Sequence, residues 1–370
     1  RVAGARMRNQ AFIYDRGSGG AALGKIDGQV RVKWNRQRDT FSEAEVIGRT
    51  TAPDCCSLME RTRSVRHELV IERDGKRVWE GPITGISLEK DGAYKISARD
   101  LLFFPNRTVV KNTYSSAYPA IRHVTEHAEE VIRGEMAAGE AYGFNVLPGL
   151  EVYTNSETSN TSAVTKPYSG YVWDVLDSLA QRSSLDYVVV NRRLILIDTH
   201  QFIAMGRRLV DADFLDGLRV TEYGVELAVG NYVSGTEGNA GVIITEEGLD
   251  YYGPIELLAA SYGSGSDDAE PPTQEELDDQ ALRNARSRYP APVVLKVPEN
   301  SQLAPSTVDD IFDWLIPTTG FPVYSDATCR EIEQIQKLDK VSFEETADGE
   351  KVSVTLSSAP IGSDIVPEDE

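Results

Sequence analysis

Histidine and cysteine are scarce in this chain of 370 residues, with four and three copies. Cys55 and Cys56 are adjacent, Cys329 stands far away, and none falls in a metal-ligand spacing. That excludes a disulfide framework and points to folding in a reducing cytoplasm. No apolar run approaches the ~20 residues of a membrane span. The opening stretch RVAGARMRNQ is basic but no apolar segment follows it, so no signal peptide is predicted. There is no G-x-S-x-G. The stretch GSGSDD at 263–268 has the glycines of a phosphate loop but no following Lys-Ser/Thr, and reads as a linker. Neither His67 nor His200 stands in a ligand-like setting, and a cysteine in PDCCSL is more often buried and inert than reactive. Trp79 reads as a core filler.

Positive charge is also short, and unevenly so. The net charge is −20. Residues 1–110 carry 20 basic and 14 acidic side chains, residues 111–206 carry 7 and 11, and residues 207–370 carry 11 and 33. Tight non-specific DNA binding needs clustered Lys and Arg, so the chain as a whole is a poor candidate for it. The asymmetry demands a partner or a geometry.

Apolar residues at 41 % and charged residues at 26 % fit packed cores, and the length fits two or three domains. After an N-terminal arm (1–19), residues 20–110 read as a first β tube-type domain. QVRVKWNR alternates Val30, Val32 and Trp34 with polar residues, as a half-buried strand does. Further strands are expected at 68–72, around Val78 and Trp79, at 83–88 and at 94–98. Asp74-Gly75 and Asp91-Gly92 are hairpin signals, and Gly81-Pro82 reads as a break. Residues 111–206 read as an inserted α+β domain: a helix with Ile121, Val124, Ala128, Val131 and Ile132 on one stripe, a second helix at 171–181 with Ser169 as candidate N-cap, and a hairpin turning at Asn191-Arg192. Residues 207–289 read as a β segment with a linker and a helix, opened by the capping pair Thr273 and Glu276. Residues 290–358 form a second β tube-type domain with a turn at Asp348-Gly349, and 359–370 an acidic tail. The fold class is mainly β with an α+β insertion and two barrel-like tube domains.

One stretch carries a catalytic pattern. HVTEH at 123–127 matches H-x-x-E-H, in which two histidines hold zinc and the glutamate activates its water. On a helical wheel, His127 lies about 90° from the centre of the apolar stripe, His123 about 130° and Glu126 near 140°. A zinc helix turns its histidines toward a pocket with a third ligand. His123, Glu126 and His127 are therefore expected to flank the buried face or meet solvent, with no metal and no chemistry. The alternative is a zinc-dependent cell-wall hydrolase.

The segment APDCCSLMERTRSVRHELVIERDGKRVWEGPITGI at 52–86 resembles the minor tail proteins of actinobacteria-infecting siphophages, in particular baseplate or tail-tip hub proteins. The run Asp54-Cys55-Cys56, RHELVI at 66–71, the DG…VWEGPI hairpin at 74–83 and SARDLL at 97–102 carry the resemblance. The block YVWDVLDSLAQRSSLDYVVVNRRLIL at 171–196 is similar to the helix-plus-hairpin of such hubs, and DWLIPTTGFPVYS at 313–325 is compatible with it. The resemblance implies a homotrimer whose paired tube domains make a pseudo-sixfold ring against hexameric distal tail or tail tube proteins. It implies contact with the tape measure protein and with other minor tail proteins or fibres, and DNA passage without specific binding. Location would be the distal tail tip of the virion, after assembly in the host cytoplasm. Some hubs append a peptidoglycan-cleaving module. The acidic tail here leaves no length for one, which predicts a chain with no enzymatic role and no cofactor. A receptor-binding tail protein is a further alternative. Two expectations follow from the charge split. Unlike charges meet where first and second tube domains touch in the ring. Surplus acid lines the channel and repels DNA phosphate.

Overall fold

The computed structural model describes residues 7–16, 20–50, 53–112, 114, 122–141, 151–154, 161–162, 168–182, 185–222, 224–235, 240–260, 274–289, 293–326 and 331–358. The N-terminal region builds strands β1 (Asn9–Asp15), β2 (Ala21–Lys25), β3 (Gln29–Gln37) and β4 (Glu43–Arg49). Helix α1 (Pro53–Arg61) precedes β5 (His67–Arg73), β6 (Lys76–Leu88) and β7 (Ala93–Arg99). Alternation decides which face is inside: Val32 and Trp34, Ala44 and Val46, and Tyr94, Ile96 and Ala98 all point into one core. Asn9–Asp15, expected in an arm, is a full strand against β5, because Ala11 and Ile13 bury in that same core. The Asp74-Gly75 turn has φ of 51° and 79°, the double left-handed turn its sequence announces.

Strand β6 runs unbroken through Gly81-Pro82, where a break was expected. Its first half pairs with β5 and its second with β7, with a register slip in each ladder. A Cβ on Gly81 would sit 1.9 Å from the Arg99 carbonyl oxygen, so only glycine allows this approach. Pro82 stands opposite Glu68 at the end of the β5 ladder, one residue before pairing with β7 begins at Ile83, and a missing N–H is tolerated at such a change of partner.

The inserted region holds β8 (Arg122–His123), α2 (Val124–Ala141), β9 (Glu151–Thr154), β10 (Thr161–Ser162), α3 (Val172–Arg182), β11 (Leu185–Val190) and β12 (Arg193–Asp198). The β11–β12 hairpin turns at Asn191, φ 54°, as expected, and β9 adds a parallel strand to β12. Val124, Ala128, Val131 and Ile132 of α2 meet Val172, Val175, Leu176 and Leu179 of α3 in a separate core. Ile121 lies outside the described residues.

Next come β13 (Leu209–Val210), β14 (Arg219–Glu222), β15 (Gly230–Ser234), β16 (Ala240–Ile244), α4 (Glu246–Tyr252), β17 (Glu256–Ala260) and α5 (Gln274–Arg288). Strands β16, β15 and β17 form a small sheet against α5, with a core of Val233, Leu277 and Ala281. The proposed capping residue Thr273 lies outside the described residues, as do the linker before it and the acidic tail.

The chain finishes with β18 (Val293–Lys296), β19 (Ser301–Gln302), α6 (Pro305–Ile311), β20 (Gly320–Ser325), β21 (Ile332–Thr346) and β22 (Gly349–Ser358). Strand β21 pairs with β3 from Lys340↔Gln37 to Glu345↔Val32. The two β regions, expected as two barrel-like domains, therefore share one twelve-stranded sheet and one core. No sheet among the described residues closes into a barrel. The path runs β13-β20-β21-β3-β4-β7-β6-β5-β1-β2, with β22 and β19 beside β21. Strand β1 curls back toward β3. There the Gln29 side chain donates to the Asn9 carbonyl (3.0 Å) and accepts from the Ala11 N–H (3.2 Å), where a ladder would have closed the ring. No helix among the described residues is long and apolar enough to cross a membrane.

Candidate functional site

The HVTEH stretch is divided between two elements. His123 belongs to β8 and pairs with Thr161, and the helix begins only at Val124. Glu126 is exposed, as expected. His127 is not: it is buried, and its Nε2 lies 2.8 Å from the Tyr168 hydroxyl. The wheel placed it at the edge of the stripe, but α2 packs on more than one side, and Thr125 and Glu135 are buried as well. Among the described residues no group of three His, Cys, Asp or Glu could hold a metal. We expect elemental analysis of the purified chain to find zinc far below one atom per chain. Stoichiometric zinc that is lost in H127A would refute this.

The remaining singled-out residues have structural settings. His67 is buried and its Nδ1 accepts the Arg63 N–H at 2.9 Å. His200 donates its backbone N–H to Asp198. Trp79 fills the main core. Cys56 is an exposed free thiol on α1, while Cys329 and GSGSDD lie outside the described residues.

What the structure does bring together is charge, at three places. The first is a seam between the basic N-terminal and acidic C-terminal regions of the same chain. Arg73 is buried and bonds Glu350 (2.7 Å) and Asp309 (3.1 Å). Arg8 bonds Asp74 (2.6 Å) and Asp309 (2.8 Å), and its guanidinium holds the Asp74 carboxyl below the usual range. The Arg8 and Asn9 backbone N–H groups both donate to Glu345. Part of the charge split is thus spent inside one subunit.

The second place joins the insertion to the sheet. Lys337 of β21 is fully buried, with its Nζ 2.6 Å from Asp186 and donating to the Thr199 carbonyl at 2.9 Å. Arg38 bonds both Asp186 and Asp339 at 2.9 Å. Burial opposes charge on Asp186, but Lys337 and Arg38 outweigh it and hold its carboxyl low. Asp39 accepts the Tyr187 N–H at 2.9 Å; burial, then the charge of Asp186, pushes its carboxyl up to about 7.

That shift has a sign. An unfolded aspartate titrates near ~4, so folding raises this group's pKa and Asp39 takes up a proton on folding between these values. Its contribution to stability is fully present below ~4 and is lost as pH rises toward 7. Asp39→Asn keeps the acceptor and removes the titration. Chemical unfolding at pH 5 and pH 8 should show a smaller drop across that window in the variant than in the native chain. An unchanged drop would rule Asp39 out.

The third place is a cleft of about 940 Å³ on the exposed face of the main sheet. Side chains that alternate away from the core line it, and they form cross-strand rows. In one row Lys351, Glu344, Lys33, Glu45 and Ser97 stand side by side across β22, β21, β3, β4 and β7. Arg31 bonds Glu344 (2.7 Å), Lys95 bonds Glu45 (2.5 Å) and Arg99 bonds Glu43 (3.2 Å). These pairs engage the face's acids. Lys33, Lys340 and Lys351 have no ion pair among the described residues. The face is net basic in a chain of net −20.

The alternation places most strand faces, but Val30, expected inward with Val32 and Trp34, is exposed where the β3–β4 ladder slips, and none of these three clusters is marked in the sequence. Nothing marks Lys337 in QKLDK as buried. Gln336, Lys337 and Leu338 are all buried because both faces of β21 are covered there: Leu338 packs in the main core, while Lys337 points the other way, to Asp186 and Thr199 of the insertion.

No protein-family model and no curated protein matches the sequence. Solved structures do match the fold. A 43 kDa tail protein of prophage MuSo2 from Shewanella oneidensis superposes with a TM-score of 0.58 at 10 % identity, over 95 % of this chain and 98 % of that one. A tail protein from Neisseria meningitidis MC58 gives 0.53 at 11 % identity, over 96 % and 98 %. Prophage tail protein gp18 from Listeria monocytogenes EGD-e gives 0.52 at 8 %, over 95 % of each. The chain has the fold of phage tail proteins.

Proposed function

We propose that this chain is a structural component of a phage tail, placed at the tail tip as a ring of identical copies. The observation that carries the reading is the end-to-end fold match, 95 % of this chain against 98 % of the Shewanella prophage tail protein. The hub resemblance at 52–86 and 171–196 supports the finer assignment: a homotrimer in an actinobacterial siphophage virion, stacked on hexameric tail tube proteins, in contact with the tape measure protein and with minor tail proteins or fibres. The reading carries no catalytic step.

The open sheet supports ring formation. Strand β2 ends one side of the main sheet with no strand beyond it among the described residues, an open edge that pairing with a neighbour would cover. Cyclic assembly repeats one such contact around an axis. For DNA to pass without sticking, the cleft face must turn away from the channel, because its Lys and Arg outnumber its Asp and Glu. Cryo-electron microscopy of assembled particles tests the reading. Three copies in a ring at the distal end are expected. A monomer or dimer there, or a position on the tail shaft, overturns it.

A further inference from the structure

We propose that the basic cleft of one copy receives the acidic α4–β17 edge of the neighbouring copy, and that this head-to-tail contact closes the ring. The inference rests on the ring reading and names the surfaces that meet.

Much of the negative charge is concentrated in one stretch. Residues 222–289 hold 14 acidic and three basic side chains, a net of −11 and more than half of the chain's −20. Glu246, Glu247 and Asp250 of α4 are exposed and have no ion pair among the described residues. Glu256, at the start of β17, is also exposed and accepts from the Tyr232 hydroxyl. Apolar surface accompanies the acid. Tyr251 is 81 % exposed and Leu258 75 %, and Leu249, Tyr252 and Ile255 are also exposed. Acid rimming exposed tyrosine and leucine is the composition of a docking surface rather than of a purely solvated one. Among the described residues the small sheet has a core cluster of three buried side chains, which is little to hold a unit alone. A neighbour that covers its outer edge adds the burial it lacks.

The cleft supplies the complement. Lys33, Lys340 and Lys351 stand without ion pairs around Ser342 and Ser353, and Phe103 and Val65 line the same cleft. Its rows alternate in sign, since Glu344 lies directly between Lys351 and Lys33. A continuous polyanion such as DNA would meet Glu43, Glu45 and Glu344 along with the lysines. A protein surface with separated carboxylates and a tyrosine avoids that repulsion. Charge arranged in this way sets register and excludes wrong partners more than it adds affinity. The two surfaces are different patches of one chain, so the contact is heterologous, and a heterologous contact whose rotation closes makes a ring.

Charge exchange tests this with the full chain. One variant carries K33E, K340E and K351E, and a second carries E246K, E247K and D250K. Analytical ultracentrifugation reads the concentration at which rings form in 50 mM and 300 mM salt. Each variant alone should raise that concentration at least tenfold, and an equimolar mixture or the combined six-fold variant should recover most of the loss. Higher salt should weaken the native ring. Lys351 faces Glu344, so the milder K33Q, K340Q and K351Q set carries the same test if reversal unfolds the sheet. Native rings with unaffected variants overturn the contact and leave the ring reading standing. A native chain that never forms rings overturns both. Binding of a fluorescent DNA duplex by the native chain that the lysine variant loses, with assembly intact, shows a nucleic-acid surface and also overturns the contact.

Discussion

Replacing Lys337 with methionine should destabilise the chain by about 3–5 kcal/mol, the usual cost of removing one partner of a buried ion pair. Lys337 has no exposed surface, and three groups depend on it. Asp186 loses the cation 2.6 Å away, and the Thr199 carbonyl loses its donor. Arg38 remains beside Asp186, but it already serves Asp339. Asp39, close to the same cluster, would be harder still to ionise, because Lys337 offsets part of the repulsion from Asp186. The damage should be directional. Asp186 and Tyr187 sit on β11 of the insertion, and Lys337 and Arg38 on the main sheet side, so the cluster is a joint between two cores. Equilibrium unfolding in urea measures the loss, and proteolysis should reach the insertion before the sheet. Adding Asp186→Asn to Lys337→Met should recover part of the stability, since no buried carboxylate is then left beside the missing amine. A single-variant cost under ~1 kcal/mol would show that the amine is not paired as described.

Trp34→Ala is the second large effect, with an expected loss of about 3–5 kcal/mol. Trp34 of β3 stacks on Phe343 of β21, with ring centroids 4.0 Å apart and planes within 9°. Its Nε1 donates to the Asn9 side-chain oxygen at 3.1 Å, so the truncation also strands a buried acceptor. The pair spans the junction of the two β regions, where β21 joins β3. Two further variants separate the contributions. Trp34→Phe keeps the stack and drops the donor, which should cost nearer 1 kcal/mol. A double-mutant cycle with Phe343→Leu should return a coupling of about 0.5–1.5 kcal/mol for the aromatic contact. Trp34→Ala at under ~1 kcal/mol would mean that the two regions are held together elsewhere.

The elements most legible in the sequence were those with strong local signals. Asp74-Gly75 and Asn191-Arg192 turn as their residues require, since short polar side chains tolerate positive φ. The stripe Val124, Ala128, Val131 and Ile132 packs as its spacing predicts. Helix α1 escaped notice because PDCCSLMER is short and weakly periodic, although Pro53 at its first position is a fair start signal. Gly81-Pro82 misled for a related reason. A break and a change of strand partner use the same residues, and only the neighbour at Arg99 distinguishes them. Within HVTEH the first histidine sits on a strand and the last lies against a tyrosine 41 positions away, neither of which a helical wheel of the stretch anticipates.

Taken by itself, the sequence determined most of the alternation of faces, the turns, the helical stripes and the uneven charge. These depend on residues within a few positions of one another, where sterics and periodicity act. Only the tertiary structure decided that the two β regions share one sheet, that Lys337 is buried opposite Asp186, and that part of the basic and acidic surplus is spent in a seam within the chain. Each of those joins residues far apart in sequence, as with Arg8 and Glu345, which are 337 positions apart. Contacts at such separations follow from which edges and faces find one another in space, and no local pattern records that choice.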